Sequence, residues 1–190
     1  LSNMASSGVI TAGVNSATID DSDINVIVSD ALLSGTNVSD LNAVASATTG
    51  TMTATISGTA AQLDDLTTTY TTDAITANVT SAVTANQAGT INAATNTAVV
   101  YYGGMTDNIV QLSNSGTVTA NVSVATTDDS DINITVSDSL VETNVDDLNA
   151  LGVVTSGVLT ASISGRAGEL ANLTTSNSTD AITITVNDGA

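Results

Sequence analysis

The sequence predicts a mainly β protein built of repeats: a β-solenoid with short helices on some of its coils, or, as the second choice, two tandem β-sandwich domains. Three observations predict it. The apolar residues are small and branched, with no Phe, no Trp and only Tyr70, Tyr101 and Tyr102 as aromatics; such residues suit a thin core stacked in layers better than a thick one anchored on rings. Apolar and polar residues alternate with period two over many short stretches. The chain also repeats itself.

The repeat runs the length of the chain. The segment from Asp20, Asp21, Ser22 and Asp23 to Asp30 returns as Asp128, Asp129, Ser130 and Asp131 to Asp138. After a one-residue deletion, Asp40-Leu41-Asn42-Ala43 returns as Asp147-Leu148-Asn149-Ala150, and Ile56-Ser57-Gly58 as Ile163-Ser164-Gly165. Asp73-Ala74-Ile75-Thr76 returns as Asp180-Ala181-Ile182-Thr183. These matches organise the chain into a first repeat unit over 1–80, an irregular connector with a partial repeat over 81–115, and a second repeat unit over 116–190.

Two shorter phrases alternate inside the units. A Gly followed three residues later by Thr or Asn and then by Ala opens at Gly8, Gly50, Gly89, Gly116 and Gly157; an Asp–Ile phrase opens at Asp23, Asp73, Asp107, Asp131 and Asp180. Both read as strands. Met52, Ala54 and Ile56 fall on one face against Thr51, Thr53, Thr55 and Ser57; Val118, Ala120 and Val122 fall against Thr117, Thr119 and Asn121. Between some strands the period lengthens. Val38, Leu41 and Val44, Ala60, Leu63 and Leu66, and their copies Val145, Leu148 and Leu151, and Ala167, Leu170 and Leu173, lie three apart and predict short helices with one apolar face. Thr59 with Gln62 is a capping box that the second copy loses at Arg166.

The phrases Thr48-Thr49-Gly50-Thr51-Met52-Thr53-Ala54, Ser57-Gly58-Thr59-Ala60-Ala61-Gln62-Leu63 and Asp180-Ala181-Ile182-Thr183-Ile184-Thr185-Val186 resemble the repeats of very large Thr-rich secreted surface proteins of the marine cyanobacterial type, and stretches of phage fibre proteins. The resemblance implies a structural or adhesive role outside the cell, on a cell or virion surface, and brings no active site with it.

Composition excludes several functions. With 19 acidic residues against the single basic Arg166, the net charge is −18, so phosphate contacts to nucleic acid and attraction to an anionic membrane both lack cations. No apolar run reaches membrane-span length. Without His, Cys or Lys, the usual nucleophile–base pairs, transition-metal sites and Schiff-base lysines are absent. The adjacent carboxylates Asp64–Asp65 and Asp146–Asp147 would diverge on short helices rather than face one another across a cleft. The chain therefore reads as no enzyme and as having no cofactor, with one reservation: the acidic turns Asp20, Asp21 and Asp23, and Asp128, Asp129 and Asp131, are candidate calcium ligands, since calcium takes oxygen donors from loops. They lack the ligand spacing of known calcium loops, and a solvated turn explains them as well.

Other features point outward. Thr rows on strand faces are candidates for binding an ordered lattice such as ice, although Thr suits any wet strand face. Sequons at Asn37, Asn78, Asn121 and Asn172 matter only in a host that glycosylates them. Tyr101 and Tyr102 are either core or a subunit contact. The opening Leu1-Ser2-Asn3-Met4 carries no leader, and the chain reads as a processed product or a fragment. The expected function is a structural segment of an extracellular assembly (filament, surface layer or fibre) that self-associates through strand edges. The alternatives are an adhesin module holding calcium or glycans, and an ice-binding solenoid.

Overall fold

A computed structural model describes residues 1–68, 72–175 and 179–188; Tyr70 lies outside them. The chain divides into two compact units. Unit 1 is Leu1–Ser81 with Thr90–Tyr102, and unit 2 is Ala82–Gly89 with Gly103–Ala190, so the stretch 81–115 is shared between them.

Unit 1 opens with a hairpin, β1 (Ala5–Ser6) and β2 (Val9–Ile10), and a helix, α1 (Ala12–Asp20). Short strands β3 (Val26–Ile27) and β4 (Leu33–Ser34) lead into α2 (Val38–Ala47), β5 (Met52–Gly58), α3 (Ala60–Leu63) and β6 (Ala74–Val79). Helix α4 (Ala85–Ala93) straddles the division, and β7 (Val99–Tyr101) completes unit 1. The sheet order is β3-β5-β6-β7 with β4 also on β5, and every pairing is parallel.

Unit 2 continues with β8 (Met105–Asp107), α5 (Ile109–Leu112), the hairpin β9 (Ser113–Asn114) and β10 (Thr117–Val118), and α6 (Ala120–Asp128). Then come β11 (Ile134–Val141), α7 (Val145–Val154), β12 (Leu159–Gly165), α8 (Ala167–Leu170) and β13 (Ala181–Val186). Its sheet, β13-β12-β11-β8, is again wholly parallel.

This architecture overturns the mainly β expectation. The protein is an α/β mix, 36% helical and 29% strand, with parallel sheets flanked by helices; it is neither a β-solenoid nor a pair of β-sandwiches. Sandwiches built from hairpins need antiparallel neighbours, whereas parallel neighbours need a crossover, which the helices supply here. The helices come partly from phrases read as strands. Of the five Gly-to-Ala phrases, only those at Gly50 and Gly157 lead into long strands, β5 and β12. At Gly8 and Gly116 the glycine is the second residue of a two-residue hairpin turn, and the closing Ala begins α1 or α6. Gly89 lies inside α4. Ala is the best helix former, and Thr11, Thr119 and Thr84 precede these helices. At α4 the Thr84 and Gln87 side chains each accept from the other residue's backbone N–H, at 3.2 and 3.1 Å, which closes the first turn. Val122 is therefore buried as part of a helix, with Ala125 three residues on, not as the inner row of a strand.

The turns explain the glycines. Ser7 and Gly8 have φ of 53° and 76°, and Ser115 and Gly116 have 54° and 74°; two successive left-handed residues make the turn that matches strand twist. Gly50 and Gly157 serve another purpose. A Cβ there would sit 2.3 Å from the carbonyl oxygen of Asp23 or Asp131, so these positions exist where two backbones touch.

Two of the four predicted helical faces form in full; α3 and α8 end at Leu63 and Leu170, which leaves Leu66 and Leu173 beyond them and Ala167 exposed. Val38, Leu41 and Val44 of α2 are buried, as are Val145, Leu148 and Leu151 of α7. The capping box at Thr59 and Gln62 is present, and Arg166 makes no side-chain cap. The core consists of these rows and the inward rows of the sheets, such as Met52, Ala54 and Ile56.

Candidate functional site

The two acidic turns sit at helix ends. Asp20 is the last residue of α1 and Asp21 its C-cap; Asp128 and Asp129 hold the same places on α6. Asp23 and Asp131 come two residues later, both exposed. Carboxylates at a helix C-terminus face the negative end of its dipole. The Asp21 carboxyl is pushed above the ordinary carboxylate range, first by its hydrogen bond with Asp23, then by desolvation and by Asp23's charge. Among the described residues no three His, Cys, Asp or Glu side chains gather around a position suited to a metal ion. Asp64 and Asp65 do not combine either: Asp64 Oδ1 is enclosed and unpartnered, and Asp65 offers its backbone carbonyl to Asn42 at 2.8 Å. In the other adjacent pair, Asp147 is buried and Asp146 exposed.

What the carboxylates do elsewhere is consistent from one unit to the next. Asp73, at the entry to β6, accepts the backbone N–H of Met52 at the start of β5, at 2.9 Å. Its copy Asp180 accepts Leu159 at the start of β12, at 3.0 Å. The first N–H of α3, α4, α5 and α8 is in each case accepted by a side chain from later in the chain. Ser81 takes Ala60, Asp107 takes Ala85, Asp138 takes Ile109 and Asp188 takes Ala167, at 2.8 to 3.1 Å. Asp40 on α2 takes the turn N–H of Gly8 at 2.7 Å, and Asp147 on α7 takes that of Gly116 at 2.8 Å.

Amides and hydroxyls work in the same way. Asn25 and Asn133 accept Thr51 and Val158, each at 2.8 Å. Asn42 and Asn149 each bridge to the following segment with both ends of the amide. Thr48 and Thr155 are buried and donate to the Ile24 and Ile132 carbonyls at 2.7 and 2.6 Å. These side chains satisfy backbone groups that the parallel ladders leave over at segment starts. The sequence marks Asp73, Asp107 and Asp180 as openings of a strand phrase, but not as acceptors, and nothing in it signals the inward Thr48 and Thr155. In the adjacent pair, Tyr101 is buried in β7 and Tyr102 is 71% exposed.

Chemically, this arrangement fixes one backbone segment to the next. No family model, no curated protein and no solved structure matches the chain. No helix among the described residues is long and apolar enough to cross a membrane.

Proposed function

We propose that this chain is a non-catalytic structural segment of a self-associating extracellular assembly. The observation that carries the reading is the use of its carboxylates. The side chains best able to do acid–base or metal chemistry in a protein without His, Cys or Lys are, at seven positions, engaged with backbone N–H groups of neighbouring segments. A net charge of −18 keeps such a protein soluble at the cost of self-repulsion, which the ions of an external medium screen. The experiment is sedimentation velocity of the purified chain over a wide concentration range in dilute and in physiological salt. Reversible growth of larger species, favoured by salt, is the expected result; a single monomeric species throughout would refute the reading.

A second reading, lattice binding, draws on Thr106, Thr135 and Thr160, which lie in register across β8, β11 and β12. Ala181 ends that row. Ice growth without faceting or hysteresis in the presence of the protein removes this reading.

A further inference from the structure

The chain's single Arg and its only two Glu residues, Arg166, Glu142 and Glu169, replace Thr59, Gly35 and Gln62 of the first repeat. In unit 1 those three residues close on themselves. Gln62 accepts the Thr59 N–H at 3.0 Å, and its side chain lies over Gly35, where a Cβ would come within 2.5 Å of Gln62 Oε1. In unit 2 Glu142 brings a side chain of its own to that place. It packs against Gly165, and its Oε2 accepts the Arg166 N–H at 2.6 Å. Glu142 alone therefore does the backbone work of Gln62. Arg166 and Glu169 are left exposed, the Arg166 side chain to 76%. Exchanging a capping box for an exposed cation is a local loss that folding does not explain, and such losses gather at functional sites.

Glu142 and Arg166 line a cavity of about 320 Å³ together with Val141, Thr143, Ser164 and Asn187. Val141 ends β11, Ser164 is the last residue but one of β12, and Asn187 follows β13. The cavity thus opens at the carboxyl ends of three neighbouring parallel strands, where parallel sheets take their ligands. Its opening does not depend on what adjoins β13. In unit 1, where β6, α4 and β7 all follow, the matching Ser34, Thr36, Thr59 and Thr80 are exposed as well.

The two charges select the ligand. Arg166 Nε and Glu142 Oε1 are 4.0 Å apart, too far for a hydrogen bond, so each keeps bonding capacity for a third group. An anion on the guanidinium would meet the Glu142 charge and the field of a chain at −18. A cation beside Glu142 would meet the guanidinium. A neutral group that donates and accepts at adjacent atoms satisfies both, and neighbouring hydroxyls on a sugar ring are such a group. Thr143, Ser164 and Asn187 add donors and acceptors around it, and Val141, 53% exposed, offers an apolar surface to the ring C–H groups. The volume lies at the low end of the range for ligand pockets, about 300–1,000 Å³, which suits one sugar unit.

We propose that this corner of unit 2 is a saccharide-binding site that takes one neutral sugar unit of a glycan across Arg166 and Glu142. The site goes beyond the structural role proposed above and does not depend on it.

The test is a printed panel of neutral oligosaccharides of glucose, galactose, mannose and N-acetylglucosamine, with uronate oligosaccharides and peptides beside them. The chain is retained on neutral oligosaccharides, and the best of these is titrated by calorimetry. Arg166→Thr restores the first-repeat residue and keeps the backbone N–H on Glu142. It leaves the circular-dichroism spectrum and Tm unchanged and weakens binding by about tenfold or more. Thr143→Ala, on the exposed rim, is a second variant and weakens binding by about threefold. With one Arg in the chain, the guanidinium Nε–H gives a single nitrogen-15 resonance, which shifts as the sugar is added. Retention on no neutral oligosaccharide, preference for uronates or peptides, an unmoved Arg166 resonance, or undiminished binding by Arg166→Thr overturns the proposal.

Discussion

Removing the Asp73 carboxylate tests whether the acidic residues are part of the framework. Asp73 is 3% exposed, and its Oδ1 accepts the Met52 N–H at 2.9 Å in a buried setting. Asp73→Ala leaves that N–H buried without this acceptor. A buried unsatisfied donor costs about 1–3 kcal/mol, and a bond to a charged acceptor lies toward the upper end of that range. The expected loss is therefore about 2–3 kcal/mol. For a unit of about 100 residues that is a fall in Tm on the order of 10 °C or more. Asp180→Ala is the internal control: the same bond, to Leu159 at 3.0 Å, lies in a part-buried setting, where water replaces the lost acceptor, and it should cost about 1 kcal/mol or less. Asp73→Asn keeps an acceptor oxygen and should recover at least part of the loss. The assay is thermal and urea unfolding followed by far-ultraviolet circular dichroism. If Asp73→Ala melts with the parent, or Asp180→Ala costs as much as Asp73→Ala, burial of the bond is not what gives it weight and the argument fails.

Gly50→Ala and Gly157→Ala each drive a Cβ to 2.3 Å from a backbone carbonyl and should cost about 3 kcal/mol. Gly13→Ala and Gly168→Ala, in α1 and α8 with nothing within 4 Å, should stabilise by up to about 1 kcal/mol; the four urea midpoints settle the contrast. Because the Asp21 pKa is raised in the fold, chiefly by Asp23, its contribution to stability is complete below the ordinary carboxylate pKa and is lost as pH rises through the raised value. Asp23→Asn should thus stabilise at about pH 7 and be neutral at about pH 3, and the Asp21 carboxyl resonance should titrate lower than in the parent; an unchanged titration refutes the coupling.

Parts of this fold are legible because local chemistry decides them. Val38, Leu41 and Val44 specify α2, Thr59 and Gln62 specify the start of α3, and the alternation from Met52 to Gly58 specifies β5. The Gly-to-Ala phrase misleads because it spans only five residues. Over that length, two alternating apolar positions are compatible with a strand or with a turn entering a helix. The residues beyond the phrase make the choice: Ala120 to Thr126 places Val122 and Ala125 on one helical face, whereas Ala54 to Gly58 continues the alternation. Strand direction is not written in alternation at all, and the mistaken sandwich reading comes from that silence; the solenoid reading, whose strands are parallel too, fails instead on the phrases that fold as helices. The carboxylates can be recognised as abundant but not as acceptors, because a donor such as Met52 and its acceptor Asp73 lie 21 residues apart.

That separation bears on how the protein comes into being. Met52 waits for Asp73, Ala60 for Ser81, Leu159 for Asp180 and Ala167 for Asp188, each 21 residues later in the chain. At these four places the start of a strand or helix is sealed by a residue synthesised after it. As the nascent chain leaves the ribosome, each of these N–H groups waits for an acceptor not yet made, and a cut between donor and acceptor costs the earlier segment its seal as well as the residues removed.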